Sequence, residues 1–401
     1  MPLDPSFEDD VPSWMDEPPA YGEPVTAPAA IKATPFTWRA EADIPRRQWL
    51  YGRHLLRDFL SVDVAAGGVG KSSLKIGEAL ALASGRDIYG QTLHEGPLRV
   101  WLYNLEDPAE ETERRLHATA KRFRIQPEDI ADRLFVDSGR DQRCVIAEDN
   151  MSGVRIIRPV VDSIIDEIKA RNIDVLILDP FVSSHAVSEN DNMAIDMVAK
   201  EWARVAGVTG CAINLVHHVR KQNGQEATAD SARGASALIG AARSVMVFNR
   251  MTKDEAEKVG VSEAEARFFF RVDNDKANLA PPGSTTWYRM NNVDLDNGDS
   301  VGVACPWKAP DAFDGITVAH VMRVQKAVGA GEWRENRQSN AWVGRAVADA
   351  LMMDADDPKD TKRITILVKE WIKNGVLEVV EQEDSARRKR KFVVVGNWVT
   401  E

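Results

Sequence analysis

The stretch Val62-Asp63-Val64-Ala65-Ala66-Gly67-Gly68-Val69-Gly70-Lys71-Ser72-Ser73 constrains this chain more than any other. An apolar run ending near Val64 reads as a buried strand. A small-residue loop follows, and residues 72–82 have a helical composition. Strand, glycine loop, Lys-Ser and helix, in that order, build an anion cradle. The glycines let backbone N–H groups curl around an anion, and the helix N-terminus adds partial positive charge. Gly67, Gly68, Val69, Gly70, Lys71, Ser72 and Ser73 are the expected contacts of a nucleotide such as ATP. Lys71 would reach the β- and γ-phosphates, and the Ser72 hydroxyl would bind Mg²⁺. The first glycine of the pattern G-x-x-x-x-G-K-[ST] is Ala65 here. Gly67 and Gly68 are expected to compensate.

Composition narrows what else the chain can be. Its 401 residues have room for two domains and a tail. A formal net charge of -11 argues against a uniformly basic nucleic-acid coat, though a local basic groove is compatible with it. Cys144, Cys211 and Cys305 are far apart and form no C-x-x-C pair, so neither a zinc site nor a disulfide framework is expected, and a reducing cytoplasm fits. No apolar run is long enough for a membrane span, and the N-terminus lacks the pattern of a signal peptide.

Residues 1–45 are rich in Pro, Asp and Glu, with no Lys or Arg before Lys32, and read as a disordered acidic tail. A sharper reading makes the tail a partner-binding or DNA-mimicking arm anchored by Trp14 and Met15. From Pro45 the chain folds, with Trp49 and Tyr51 expected in the core. Strands are expected at 98–105, 134–136, 173–179, 212–216, 245–248 and 268–272, with helices between them. Pro108 is expected in the first turn of a helix through Glu110, Arg114 and Leu116. Met193, Met197, Val198 and Trp202 are expected on the core side of another. The alternation predicts an α/β fold with a central parallel sheet and late antiparallel additions. From about 311 the pattern changes. Helices near 315–328, 338–353 and 359–374, then a hairpin around Arg387-Arg388-Lys389-Arg390-Lys391, predict a small winged-helix-like α+β unit. The expected division is therefore 1–45, 46–310 and 311–401.

Phosphoryl transfer needs a cradle, a metal, a group that orients water, and positive charge for the transition state. Asp179 ends a central strand where a magnesium carboxylate belongs. Glu106 ends another and would polarise the water, with Asp107 as its neighbour at a helix N-terminus. His217 and His218 end a third. Adjacent strand residues point to opposite faces, so the pair suits a phosphate sensor better than a shared metal.

The ordered set Gly67-Gly68-Val69-Gly70-Lys71-Ser72, Leu105-Glu106-Asp107, Leu176-Ile177-Leu178-Asp179-Pro180, His217-His218, Arg233-Gly234-Ala235-Ser236 and Lys276-Ala277-Asn278-Leu279-Ala280-Pro281-Pro282 resembles the RepA branch of the RecA-like hexameric replicative helicases. The helicase DnaB is a more distant cousin. The resemblance spans residues 46–290 and implies a RecA-like P-loop ATPase that forms a homo-hexamer on single-stranded DNA. It implies that Glu106 activates water and that an arginine from the next subunit completes the site, Arg243 first and Arg233 second. Lys276 would sense the neighbouring γ-phosphate. Where DnaB-like enzymes carry a basic residue two positions after that lysine, this chain has Asn278. The loops after the Asp179 and His218 strands would face the DNA, the second through Arg220 and Lys221. The tail would engage replication or loading proteins. The rival readings are a recombination mediator that hydrolyses ATP without unwinding, and a nucleotide-switched DNA-binding regulator.

Overall fold

A sheet of nine strands organises the folded chain. In order across it run Ser300–Trp307, Thr286–Asp294, Phe269–Ala277, Ser244–Arg250, Leu60–Ala66, Ala212–Val219, Val175–Asp179, Val100–Asn104 and Leu134–Ser138. The last six are parallel and the first three join antiparallel. This is the expected α/β architecture. The computed structural model describes residues 31–150, 153–219, 226–228, 236–280, 285–309, 311–383 and 388–400.

Strand alternation sorts the core onto the two faces of the sheet. Leu60, Val62 and Val64 turn to one face with Leu176, Leu178, Ile213, Leu215, Val245 and Val247. There they pack under the helices Arg158–Arg171 and Asn192–Thr209, through Val161, Ile165, Val198 and Trp202. Ala65, Leu102, Val175, Ile177 and Phe248 turn to the other face, against Leu74, Leu80 and Leu82 of the helix Lys71–Ser84. Both sheet faces are covered, which is why the central strands read as continuous apolar runs.

Two local expectations are corrected. Met193 and Met197 are not core residues: they are 81% and 44% exposed. The buried stripe of their helix runs through Ala194, Ile195, Val198, Ala199, Trp202 and Val205, and the methionines sit one position ahead of it, about 100° round the helix. Pro108 stands at the N-cap of the helix Ala109–Phe123, just ahead of its first turn. Two hairpins were not foreseen, Ala147–Asn150 with Gly153–Ile156 and Thr286–Asp294 with Ser300–Trp307. Tyr51, by contrast, is buried in the core as expected.

The chain divides into two units, Met1–Arg46 and Arg47–Glu401. In the first, residues 31–46 are exposed and irregular apart from a short 3₁₀ turn at Glu41–Asp43, and Phe36 meets Trp38 edge-on with ring centroids 5.8 Å apart. Within the second, the C-terminal helices Val318–Gly329, Val343–Leu351 and Pro358–Lys373 pack on a separate sheet of Trp333–Arg334, Lys389–Val395 and Leu377–Glu383. They bury a core of their own around Val324, Trp342, Val347, Leu367, Trp371 and Val393.

Candidate functional site

Parallel register brings the functional side chains to one edge of the sheet. Ala65 pairs with His218, and Asn104 with Asp179. The loop that starts at Ala66, the carboxylate of Asp179, the histidines and the turn at Glu106 therefore all emerge at the carboxyl ends of adjacent strands, where α/β sheets bind ligands.

The loop needs glycine at two places. Gly68 has φ 73° and Gly70 has φ 120°. A Cβ on Gly70 would also come within 2.9 Å of Phe270 Cε1 and 3.2 Å of Met290 Sδ. Ala65, still in extended strand backbone, needs no glycine and no compensation. Gly67 has open space around it. The Val69 side chain is buried with the core, which leaves only its backbone for the loop. The Ser73 hydroxyl is occupied elsewhere: it donates to Gly302 O at 3.2 Å and accepts from Ala304 N at 2.9 Å. That bond ties the helix start to the C-terminal hairpin of the sheet.

Lys71 is buried, and Nζ donates to the carbonyls of Ala65 (2.9 Å) and Ala66 (3.3 Å). Nζ also lies 3.2 Å from His218 Nδ1. A protonated Lys71 donates there only if Nδ1 is bare, which puts the ring proton on Nε2, the atom 3.9 Å from Asp179 Oδ1. Burial lowers the Lys71 pKa to about 8, with Asp179 and Asp63 opposing the shift. Burial raises the Asp179 carboxyl, against the neighbouring Ser72 hydroxyl and the charge of Lys71. A pocket of about 250 Å³ opens here, lined by the 68–73 loop with Arg115, His218, Met290 and Gly302. It is smaller than the roughly 300–1,000 Å³ of a whole small-molecule pocket and suits a polyphosphate.

The histidines part as strand alternation requires. His218 lines this pocket, while His217 is buried beside Phe181, ring centroids 6.2 Å apart. Burial first, then Lys71, lowers the His217 pKa to about 4, so it is neutral near pH 7. Glu106 and Asp107 also differ. The Glu106 side chain is exposed, and among the described residues its Oε1 accepts only from Ser183 Oγ, at 3.4 Å. The Asp107 carboxylate is tied to Arg115 Nη1 at 2.8 Å and to Asn104 Nδ2 at 3.2 Å.

Arg243 and Lys276 lie at the far edge of the sheet. The Arg243 N–H donates to Leu60 O at 2.9 Å, and its guanidinium sits over the Phe59 ring at 5.8 Å. Lys276 pairs with Val245 and donates to Ile239 O at 2.7 Å. Leu60 and Ala65 are five strand positions apart, roughly 16 Å at ~3.3 Å per residue. Arg220, Lys221 and Arg233 lie outside the described residues.

Two residues at the pocket went unforeseen. Arg115, on the helix after Glu106, lines it while held by Asp107 and Glu111. Arg250, at the end of the strand beside the loop, donates to Gly68 O. Neither has a sequence signal beyond being an arginine one helix turn or two strand positions past a core residue.

Residues 26–224 match the family model described as an AAA domain, a span holding Lys71, Glu106, Asp179 and both histidines. Among solved structures, the RadB recombinase is similar at 11% identity, with 59% of this chain and 89% of that chain covered and a TM-score of 0.38. A DnaB-like replicative helicase, described with its interactions with primase, is similar at 14% identity over 59% of this chain and 56% of that one, with a TM-score of 0.42. The chain thus spans little more than half of that helicase. The central sheet is mostly parallel, and the AAA-domain match takes in the glycine loop that leads into the Lys71–Ser84 helix. Among the described residues, no helix is long and apolar enough to cross a membrane.

Proposed function

We propose that this chain hydrolyses ATP with Mg²⁺ and uses the cycle to move along single-stranded DNA as a ring of six copies, the work of a replicative helicase. The observation that carries hydrolysis is the gathering of Lys71, Ser72, Asp179, His218 and an exposed Glu106 at one sheet edge around a polyphosphate-sized pocket. Lys71 already holds its ammonium against carbonyl oxygens and not against a carboxylate, so an incoming phosphate becomes its natural counter-charge. Ser72 and Asp179 lie beside each other and are hard oxygen donors that fit Mg²⁺. When bound, that ion would neutralise charge on the transferring phosphoryl group. Glu106 carries a carboxylate free to accept a proton from the attacking water, which the clasped Asp107 is not. His218 would sense the γ-phosphate beside Lys71, with neutral His217 packed behind it against Phe181.

Arg243 and Lys276 are too far from their own Lys71 to act on its nucleotide. This supports a role at the site of a neighbouring copy, and with it a closed ring. In this reading residues 1–45 recruit replication or loading proteins, 46–310 form the motor, and 311–401 form a winged-helix-like accessory unit. The test is strand displacement from a forked DNA substrate. The wild-type chain is expected to release the labelled strand with ATP and Mg²⁺, and Glu106→Gln to bind the fork without releasing it. Hydrolysis stimulated by single strands with no displacement at any fork would instead make the chain a recombination-type ATPase.

A further inference from the structure

The C-terminal region 311–401 has fifteen Asp or Glu and fifteen Lys or Arg, so the net charge of -11 belongs to the rest of the chain. Within that neutral region the charges are not mixed evenly. On the helix Pro358–Lys373, Thr361, Ile364, Leu367, Val368 and Trp371 face the core. At about 100° per residue, the opposite arc carries Lys359, Lys362, Thr365, Ile366, Lys369 and Lys373. No carboxylate lies within that arc. Glu370 stands at its border and meets Lys373 at 3.4 Å. Ile366 is 39% exposed among these lysines.

The acids near the helix start are engaged locally. Asp357 caps the N–H groups of Lys359 and Asp360, Asp354 accepts from the Asp356 N–H, and Asp356 pairs with Arg345 at 2.9 Å. The basic run in the hairpin is a different case. Lys389 and Lys391 stand opposite Glu383 and Glu381 in register, and Lys391 lies 3.9 Å from Glu335. The conspicuous basic run is thus faced by acids, while among the described residues Lys359, Lys362 and Lys369 of the helix pair with no carboxylate and Lys373 meets only Glu370 at the border.

We infer that the outer face of the Pro358–Lys373 helix is a docking surface for double-stranded DNA, independent of whether the P-loop domain is a motor. A helix is ~10–12 Å across with its side chains, and the major groove of B-DNA is about 12 Å wide. Lysines spread from 362 to 373 cover about 16 Å of axis and reach phosphates on both groove walls. Thr365 and Ile366 lie between them, a hydroxyl and an apolar group suited to base edges and thymine methyls. The face has no aromatic side chain on which an unpaired base would stack, which favours duplex over single strand.

The experiment uses the full-length chain without nucleotide, a short labelled duplex of random sequence, and one of its strands. The triple variant Lys362→Gln, Lys369→Gln, Lys373→Gln is compared with the wild type across a salt series. Duplex affinity is expected to fall by about tenfold or more, and the salt slope by about two to three. Single-strand binding and ATP hydrolysis in the absence of DNA should not change. An unchanged melting temperature shows that the variant is folded. Wild-type protein that does not bind the duplex at low salt overturns the inference. So does a triple variant that binds it with unaltered affinity and slope, including one that has lost only an acidic protein partner. A loss seen instead on neutralising 388–391, with the helix variant intact, moves the surface to the hairpin and overturns it too.

Discussion

Lys71 and Lys75 lie one turn apart on the same helix, both buried, and they live in opposite electrostatic surroundings. At the mouth of the loop, Lys71 meets two carbonyls and an imidazole, and its pKa falls to about 8. Beneath it, Lys75 Nζ is 2.5 Å from both Asp63 Oδ2 and Glu78 Oε2, and its pKa is raised despite complete burial. His54 Nε2 closes that lower cluster, 3.6 Å from Glu78 Oε1. Lys75 lowers the Glu78 pKa to about 2 against the penalty of burial. One lysine has its charge satisfied by the fold. The other is held ready, short of a full counter-charge, and so has affinity left for an anion. A buried cation can serve structure or ligand, and the nearest carboxylates decide which.

The largest expected effect separates the two lysines by function. Lys71→Ala should abolish ATP hydrolysis by removing the proposed phosphate contact. Glu106→Gln should lower turnover by on the order of 10²–10⁴-fold while an ATP analogue still binds, since only the group proposed to orient water is lost. Steady-state turnover and analogue binding read both, and normal turnover by Glu106→Gln would remove the role given to that residue. If Arg243 acts on a neighbouring copy, mixing Arg243→Ala with Lys71→Ala subunits should recover part of the activity, whereas no recovery in intact assemblies would make Arg243 structural.

Stability should show the reverse ranking. Lys75→Met leaves Asp63 and Glu78 buried without their cation and should cost about 3–5 kcal/mol in denaturant unfolding. Lys71→Met takes from buried Asp179 only a counter-charge with which it makes no direct ion pair, and should cost much less. Equal losses would erase the distinction between the two regions.

Protonation offers a finer measure of the same contrast. The folded pKa of Lys71, about 8, lies below its unfolded value near 10.5. Between them the unfolded chain holds more protons, so this group makes stability rise with pH from about 8 to 10.5. Polyphosphate favours the charged lysine. Binding near pH 8 should therefore take up about half a proton, and affinity should fall by at most about tenfold per pH unit above 8. Calorimetry in two buffers of different ionisation enthalpy reads the proton, and Lys71→Arg should remove it. The Lys75 contribution has the opposite sign and is lost only as pH rises above the ordinary lysine range.

The smallest expected effect is on acid stability. His185 and His217 are both depressed to about 4, chiefly by burial. Their contribution is fully present above the unfolded value near 6.5 and is lost as pH falls toward 4. His185→Leu should make the urea midpoint less dependent on pH across that window, and an unaltered dependence would mean that His185 is not held neutral by the fold.

Much of this molecule could be read locally. The strand, loop and helix around Lys71 are contiguous, and each follows from residue type and spacing within a dozen positions. The carboxylate at the end of Val175–Asp179 and the opposite facing of His217 and His218 follow from strand chemistry alone. The lysine arc of the Pro358–Lys373 helix was equally present in the spacing. The hairpin Thr286–Asp294 with Ser300–Trp307 was not, because its edge position leaves a mixed polar pattern with no clean alternation.

What the amino-acid order determined, then, is the phosphate loop, the parallel core and the strand ends that carry Asp179 and Glu106. What tertiary structure decided is which charges meet. Asp63 and Lys75 are twelve residues apart and become partners only because the helix folds back over the strand that precedes it. Ser73 is drawn to a hairpin more than two hundred residues away, and Arg115 reaches the pocket because its helix returns past the loop. Periodicity is set by bonds between neighbours in the chain, whereas the state of a buried charge is set by whatever folding brings within a few ångströms of it.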